Sequence, residues 1–151
     1  MENNLTADNQ QDWIKKSIEI KASDDKVWNT LTHPGHVEQW AGAFQEGTIV
    51  ETDWGENSII TWKQKDGQNG VKGRIEVIYP GKMLKINYFD DINSPDDAET
   101  GAFKEHYLLT EHQGCTTFTI ETGPLDKEHI DKMKDQWDEA LKIIKEVSEA
   151  Q

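Results

Sequence analysis

The sequence predicts an α+β domain in which a curved antiparallel sheet of six to seven strands packs against one long C-terminal helix. Three observations support this prediction. Residues 124–150 carry an apolar stripe with helical spacing. Residues 48–122 divide into six consecutive strand-like segments, and the connections between them are too short for parallel crossovers. One strand-like segment and two short helical segments come before these six.

The C-terminal helix has the clearest pattern. Asp126 is a good N-cap, and Pro124 prevents the helix from starting further upstream. The apolar residues recur with alternating gaps of three and four, as on one helix face, at Ile130, Met133, Trp137, Ala140, Ile144 and Val147. A helix this long cannot bury such a stripe alone, so it requires a sheet as its partner.

The chain begins with a predicted strand and two short helices. Residues 13–21 alternate, with Ile14, Ile18 and Ile20 on one face. Ser23 caps the first short helix. Pro34 occupies an opening position of the second, which ends near residue 40.

The next six strands form a meander. They are predicted at 48–52, 58–64, 71–79, 83–89, 103–110 and 115–122, with turns at Asp53-Trp54-Gly55, Asp66-Gly67, Pro80-Gly81 and Gln113-Gly114. Residues 90–101 form an acidic loop that is too polar to be buried. A twisted sheet of this size curls, so the final helix lies across its concave side with apolar space between them.

Composition limits the possible partners. The 151-residue chain has a net charge of −13, which repels nucleic acid phosphates and anionic membrane surfaces. Cys115 is the only cysteine, so an intrachain disulfide is impossible, as suits a reducing compartment. Residues 1–12 lack the basic and apolar parts of a signal peptide. We therefore expect a cytoplasmic protein with a disordered tail at 1–12 and one domain at 13–151, and no segment long enough to span a membrane.

The order of elements resembles the helix-grip fold of the START and birch-pollen-allergen (SRPBCC) superfamily. The motifs within it are similar to those of the activator of heat-shock-protein-90 ATPase homologue family. The resemblance extends from residue 13 to the end of the chain. The matching motifs are Ala22-Ser23, Val27-Trp28, Pro34, Gln39-Trp40, Asp53-Trp54, Trp62, Gly73-Arg74-Ile75, the run from Tyr79 to Leu84, and Trp137 with Leu141, Ile144 and Lys145.

Two positions depart from this family pattern. Asn57 and Gln136 stand where the family usually has glycine. Asparagine tolerates a left-handed turn, and glutamine is the better helix former. The eukaryotic co-chaperone of the family also has a separate N-terminal domain with no counterpart here. The resemblance implies a chaperone or another protein as a partner, and without that N-terminal domain a single-domain form is expected to bind a chaperone weakly or not at all.

The sequence places a ligand cavity between the sheet and the last helix. The predicted lining residues are Trp54, Trp62, Ile75, Val77, Ile86, Tyr88, Leu109, Phe118, Met133, Trp137 and Ala140. Small residues at Ala140 and Gly73 are expected to leave a gap. The loops at Asp53-Trp54 and 90–101 are expected to close it. We expect a small hydrophobic or aromatic ligand, whose identity the sequence does not specify, to bind there without being transformed.

Two further functions remain open. One is a protein-interaction module, which an exposed apolar patch on the outer sheet face would favour. The other is a cyclase- or aromatase-like enzyme, which a buried His or Glu with a shifted pKa inside the cavity would favour. No activated nucleophile, phosphate loop or zinc spacing is evident, so no cofactor or metal is expected. His33 and His36 have a ligand-like spacing but are expected to be capping or surface residues, and His106 is expected to face solvent rather than the cavity.

Overall fold

The computed structural model describes residues 12–64 and 70–151. The strands are β1 (Asp12–Ile20), β2 (Ile49–Thr52), β3 (Ile59–Lys63), β4 (Gly70–Tyr79), β5 (Met83–Tyr88), β6 (Lys104–His112) and β7 (Cys115–Leu125). The helices are α1 (Asp24–Thr32), α2 (Pro34–Ala41) and α3 (Lys127–Glu149). The predicted Asp66-Gly67 turn and residues 1–11 of the predicted tail lie outside the described residues, and Asp12 already belongs to β1.

The strands form one antiparallel sheet in the order β1-β7-β6-β5-β4-β3-β2. Strands β2 to β7 are the predicted meander, and β1 joins it beside β7. The long helix α3 packs against β1 and both short helices. The predicted α+β helix-grip architecture is therefore confirmed.

Local signals in the sequence determine where the helices begin and end. The Asp126 side chain accepts a hydrogen bond from the His129 N–H at 3.2 Å, which caps α3. Ser23 caps α1 in the same way. His33 ends α1, and its Nδ1 accepts from the Gly35 N–H at 3.2 Å at the start of α2. Its role is thus the expected capping role.

A β-bulge in β4 reverses the predicted alternation. Ile75 pairs with Ile86, but the register shifts before the next pair, Val77 with Lys85. The extra residue turns Val77 to the outer face, and Ile78 packs against the core instead. The prediction that Val77 faces the cavity is therefore wrong.

The core lies between the concave face of the sheet and the three helices. Its largest fully buried side chains include Trp40, Tyr107, Phe118 and Trp137. None of the helices within the described residues is both long and apolar enough to cross a bilayer.

Candidate functional site

A cavity of about 180 Å³ lies where the middle strands meet helices α2 and α3. Its lining is mostly aromatic and aliphatic, and consists of Trp40, Ala41, Phe44, Thr48, Trp62, Val71, Tyr88, Phe103, Glu105, Tyr107, Met133 and Trp137. Val71 is half exposed, and Phe44, Phe103 and Met133 are partly exposed. These four residues place one side of the cavity near the protein surface.

The walls are built from aromatic rings in mutual contact. The Trp137 ring centroid lies 4.8 Å from that of Phe44, 6.0 Å from Tyr107 and 6.2 Å from Trp40. The Trp40 ring also meets Trp62, with 5.7 Å between centroids. These distances are typical of packed aromatic pairs. Each of these rings therefore packs against at least one other ring of the wall.

One buried carboxyl group makes part of the cavity polar. Glu105 is only 9% exposed, and its Oε1 accepts hydrogen bonds from the Tyr88 hydroxyl at 2.7 Å and from the Tyr107 hydroxyl at 3.1 Å. Burial raises the pKa of Glu105, because the charged form is poorly solvated there, and the two tyrosine hydrogen bonds partly oppose this shift. We call Tyr88, Glu105 and Tyr107 the carboxyl–tyrosine cluster.

The tyrosines of the carboxyl–tyrosine cluster are also perturbed. Burial, followed by the nearby Glu105 charge, raises the pKa of both Tyr88 and Tyr107 well above its ordinary value. Both hydroxyls therefore keep their protons over the physiological range and serve as donors to Glu105.

Two indole N–H groups at the cavity lack a hydrogen-bond partner within the described residues. They belong to Trp137, which is 1% exposed, and to Trp62. Trp62 approaches the Tyr88 hydroxyl without the geometry of a hydrogen bond. A buried donor left unpaired is costly, and most native structures avoid it.

The structure brings only some of the predicted lining residues to the cavity. Trp62, Tyr88, Met133 and Trp137 line it. The others do not: Ile75, Ile86, Leu109, Phe118 and Ala140 are buried in the core, Trp54 packs beside it, and Val77 faces outward. The remainder of the lining comes from α2, the loop that follows it, Val71 of β4, Phe103 just before β6, and β6 itself.

The expected gap at Ala140 and Gly73 is absent because neighbouring groups fill both positions. Ala140 is fully buried within the core cluster. A Cβ added to Gly73 would lie 2.8 Å from both the Asn87 carbonyl oxygen and the Ile86 Cγ2 atom. The space lies instead beside the tryptophans, where large flat rings meet at angles.

The acidic loop does not close the cavity as expected. Arg74 of β4 donates to the carbonyl oxygens of Asp96 and Ala98, and Lys72 forms an ion pair with Asp96. Both basic residues lie opposite the core-facing Gly73 on their strand, so the loop is held on the outer side of the sheet. No residue of 90–101 or of the Asp53-Trp54 turn lines the cavity.

The histidines lie away from the cavity. His106 is on the outer face, with its Nδ1 3.3 Å from Glu121 and its ring 5.7 Å from that of Trp13. His33 and His36 have ring centroids 5.1 Å apart at the start of α2. Across residues 12–64 and 70–151, no three His, Cys, Asp or Glu side chains are grouped so that they could hold a metal ion.

Comparison with known proteins identifies relatives of this fold. The family model described as "Activator of Hsp90 ATPase homolog 1-like protein" matches residues 21–149. No curated protein matches the chain significantly.

Several solved structures are similar. The solution structure of the Aha1 dimer from Colwellia psychrerythraea is 16% identical with a TM-score of 0.71, and the match covers 91% of this chain and 96% of that one. Protein MLL2253 from Mesorhizobium loti is 14% identical with a TM-score of 0.70, covering 90% and 96%. The AHSA1-like protein from Aeromonas hydrophila is 19% identical with a TM-score of 0.63, covering 91% and 93%. At these identities, the likeness establishes the fold alone.

Proposed function

The chain belongs to the activator of Hsp90 ATPase homolog 1-like family, and we propose that it binds a small hydrophobic or aromatic ligand in the cavity between sheet and helix without transforming it. The observation that carries this proposal is the cavity of about 180 Å³ with its walls of packed aromatic rings. An apolar cavity of roughly 150 Å³ in another protein is known to take up benzene.

The size of the cavity restricts the ligand. Drug-sized ligands occupy pockets of about 300–1,000 Å³, so a cavity of about 180 Å³ suits a compound with a single ring. The aromatic walls favour a flat ring, because ring faces and edges offer complementary contacts to it. Large fluorescent probes are therefore poor reporters for this site, and a one-ring probe is required.

The proposal is tested by titrating the ¹⁵N-labelled protein with toluene and following amide chemical shifts. We expect saturable shifts centred on Trp40, Trp62 and Trp137. Ala41 lines the cavity, so Ala41→Leu should occupy part of the space and weaken toluene binding by about tenfold or more.

The matched control is Ala150→Leu, at the exposed C-terminal end of α3. This position lies about 20 Å along the helix from Trp137, and the control should bind toluene like the wild type. Absence of saturable binding of both toluene and its hydroxyl analogue phenol by the wild type, or unchanged toluene binding by Ala41→Leu, would contradict the proposal.

A second candidate function is a protein-interaction module, which the family match favours. The net charge of −13 then predicts a partner with a basic docking surface and an association rate that falls steeply with salt. Among the described residues, the exposed large apolar side chains are Trp13 on β1 and Val71 and Tyr79 near opposite ends of β4. Three strands separate β1 from β4 in the sheet, so these side chains form no continuous patch. A pull-down with heat-shock protein 90 of the source organism, followed by its ATPase assay, tests this candidate, and no binding at tens of micromolar removes it.

A cyclase- or aromatase-like activity is favoured by one observation. Glu105 is a buried carboxyl group with a raised pKa inside the cavity, as a general acid requires. The test is to incubate the protein for a long time with a compound that it binds, to recover the compound, and to check its mass and structure. Conversion that depends on Glu105 would replace the binding proposal, and recovery of unchanged compound supports binding alone.

A further inference from the structure

We propose that the natural ligand is a neutral one-ring aromatic compound bearing a hydroxyl group, with its ring among the tryptophans and its hydroxyl at the carboxyl–tyrosine cluster. This inference rests on the proposed ligand-binding function and narrows it to one chemical class. Three features of the cavity lead to it.

The first feature is an unused carboxyl oxygen. Both tyrosine hydroxyls donate to Oε1 of Glu105, and Oε2 has no hydrogen bond within the described residues. A carboxylate can accept about four hydrogen bonds, and a protonated carboxyl group can also donate one. Because Glu105 lines the cavity, a ligand hydroxyl is well suited to pair with Oε2.

The second feature is an unpaired donor close to the same cluster. The Trp62 indole N–H is buried without a partner within the described residues. It lies close to the Tyr88 hydroxyl, which itself donates to Glu105. A ligand group that can both donate and accept hydrogen bonds is therefore suited to pair with the indole N–H and with Oε2 of Glu105. A hydroxyl oxygen has one O–H donor and two acceptor lone pairs.

The third feature is the cavity itself, because its lining disfavours a charged ligand and its volume limits the ligand to one ring. An anionic ligand would bring its charge into a buried site whose lining, among the described residues, includes no Lys, Arg or His to pair with it, and an ionised Glu105 would repel it further. A pure hydrocarbon would leave the Trp62 N–H and Oε2 of Glu105 unpaired. The cavity of about 180 Å³ has room for one ring with a small substituent.

Phenol, toluene and benzoate are the probes that test this inference. Phenol and toluene differ only in the exchange of a hydroxyl for a methyl group, and benzoate adds a negative charge. A wholly apolar cavity that leaves the hydroxyl unpaired discriminates against phenol by roughly tenfold or more. We expect this protein to bind phenol at least as tightly as toluene and to bind benzoate at least about tenfold more weakly than phenol, as measured by NMR titration.

The outcomes separate this inference from the function on which it rests. If neither toluene nor phenol binds, the proposed ligand-binding function fails. If toluene binds and phenol is about tenfold weaker, the hydroxyl inference is overturned while the ligand-binding function stands. Benzoate binding as tightly as phenol would overturn the neutral character of the ligand.

A triple variant tests which groups provide the selectivity. Glu105→Leu with Tyr88→Phe and Tyr107→Phe removes all polar atoms of the cluster together, so that none of its members is left unpaired. The variant should prefer toluene to phenol. A persistent preference for phenol in the folded variant would contradict the assignment to this cluster. The three-probe comparison on the wild type decides the inference even if the variant does not fold.

Discussion

Replacing Trp137 by alanine tests whether the last helix holds the sheet. The side chain is 1% exposed and contacts the rings of Trp40, Phe44 and Tyr107. Truncation of a buried tryptophan costs about 3–5 kcal/mol, and each lost aromatic pair adds roughly 0.5–1.5 kcal/mol beyond area burial. We therefore expect a loss near the top of that range, about 4–5 kcal/mol. With an m-value of about 2 kcal/mol/M in urea, the unfolding midpoint should fall by about 2 M.

Trp137→Phe is the matched control for this experiment. It retains an aromatic ring against its neighbours but removes the unpaired indole N–H. Loss of packing and removal of a costly unpaired donor act in opposite directions, so the variant should stay within about 1 kcal/mol of the wild type. A loss below about 1 kcal/mol for Trp137→Ala would refute the packing argument. Equal losses for the two variants would show that the N–H is satisfied in the protein.

Three other substitutions have defined outcomes. Gly73→Ala places a Cβ 2.8 Å from the Asn87 carbonyl oxygen, so thermal melts should show about 1–3 kcal/mol lower stability; an unchanged melting temperature would contradict the close packing. Glu105→Gln should flatten the dependence of the unfolding free energy on pH. The raised pKa of Glu105 makes the wild type lose stability as pH rises from the ordinary pKa of 4.5 through the pKa in the folded protein. If the unfolding free energies of the two proteins, measured in urea, change with pH in parallel, the raised Glu105 pKa is refuted. Arg74→Met should speed amide exchange in the acidic loop while leaving toluene binding intact, and unchanged exchange would show that other contacts hold the loop.

Periodicity was sufficient to predict the architecture. The stripe at gaps of three and four placed Trp137, Ala140 and Ile144 on the buried face of α3, where the structure has them. Strand alternation likewise predicts Leu109 on the inner face of β6, where the structure has it. Both patterns succeed because each regular element buries one side, and one side only, against the core.

The alternation of side chains predicts the wrong face where β4 contains a bulge. The bulge after Ile75 adds one residue without a clear mark in the sequence, so every side chain beyond it changes face. The cavity was misplaced because its position depends on how rings from α2, β3, β6 and α3 meet, which no single segment encodes.

Glu105 is a buried cavity residue whose position the strand pattern of β6 indicates. It stands two residues before Tyr107, so alternation alone assigns it to the inner face. Its charge argued against burial, because carboxylates are rarely buried without partners. The partner that resolves this conflict, Tyr88, lies 17 residues away on a neighbouring strand. Only the pairing of β5 with β6 brings the two side chains together.

The C-terminal end of α3 also protects an edge of the sheet against unwanted strand addition. β1 is an edge strand, and edge strands present free main-chain groups that can template aggregation. Here Lys145 donates to the Glu19 carbonyl oxygen at 3.0 Å, and Glu149 accepts from the Lys21 N–H at 2.8 Å. These hydrogen bonds occupy main-chain groups at the end of β1, and the Lys145–Glu149 pair at 2.7 Å joins the two side chains. A strand from another molecule must break both of these hydrogen bonds before it can pair with the end of β1. At the opposite edge of the sheet, the short length of β2 limits how many residues an added strand could pair with.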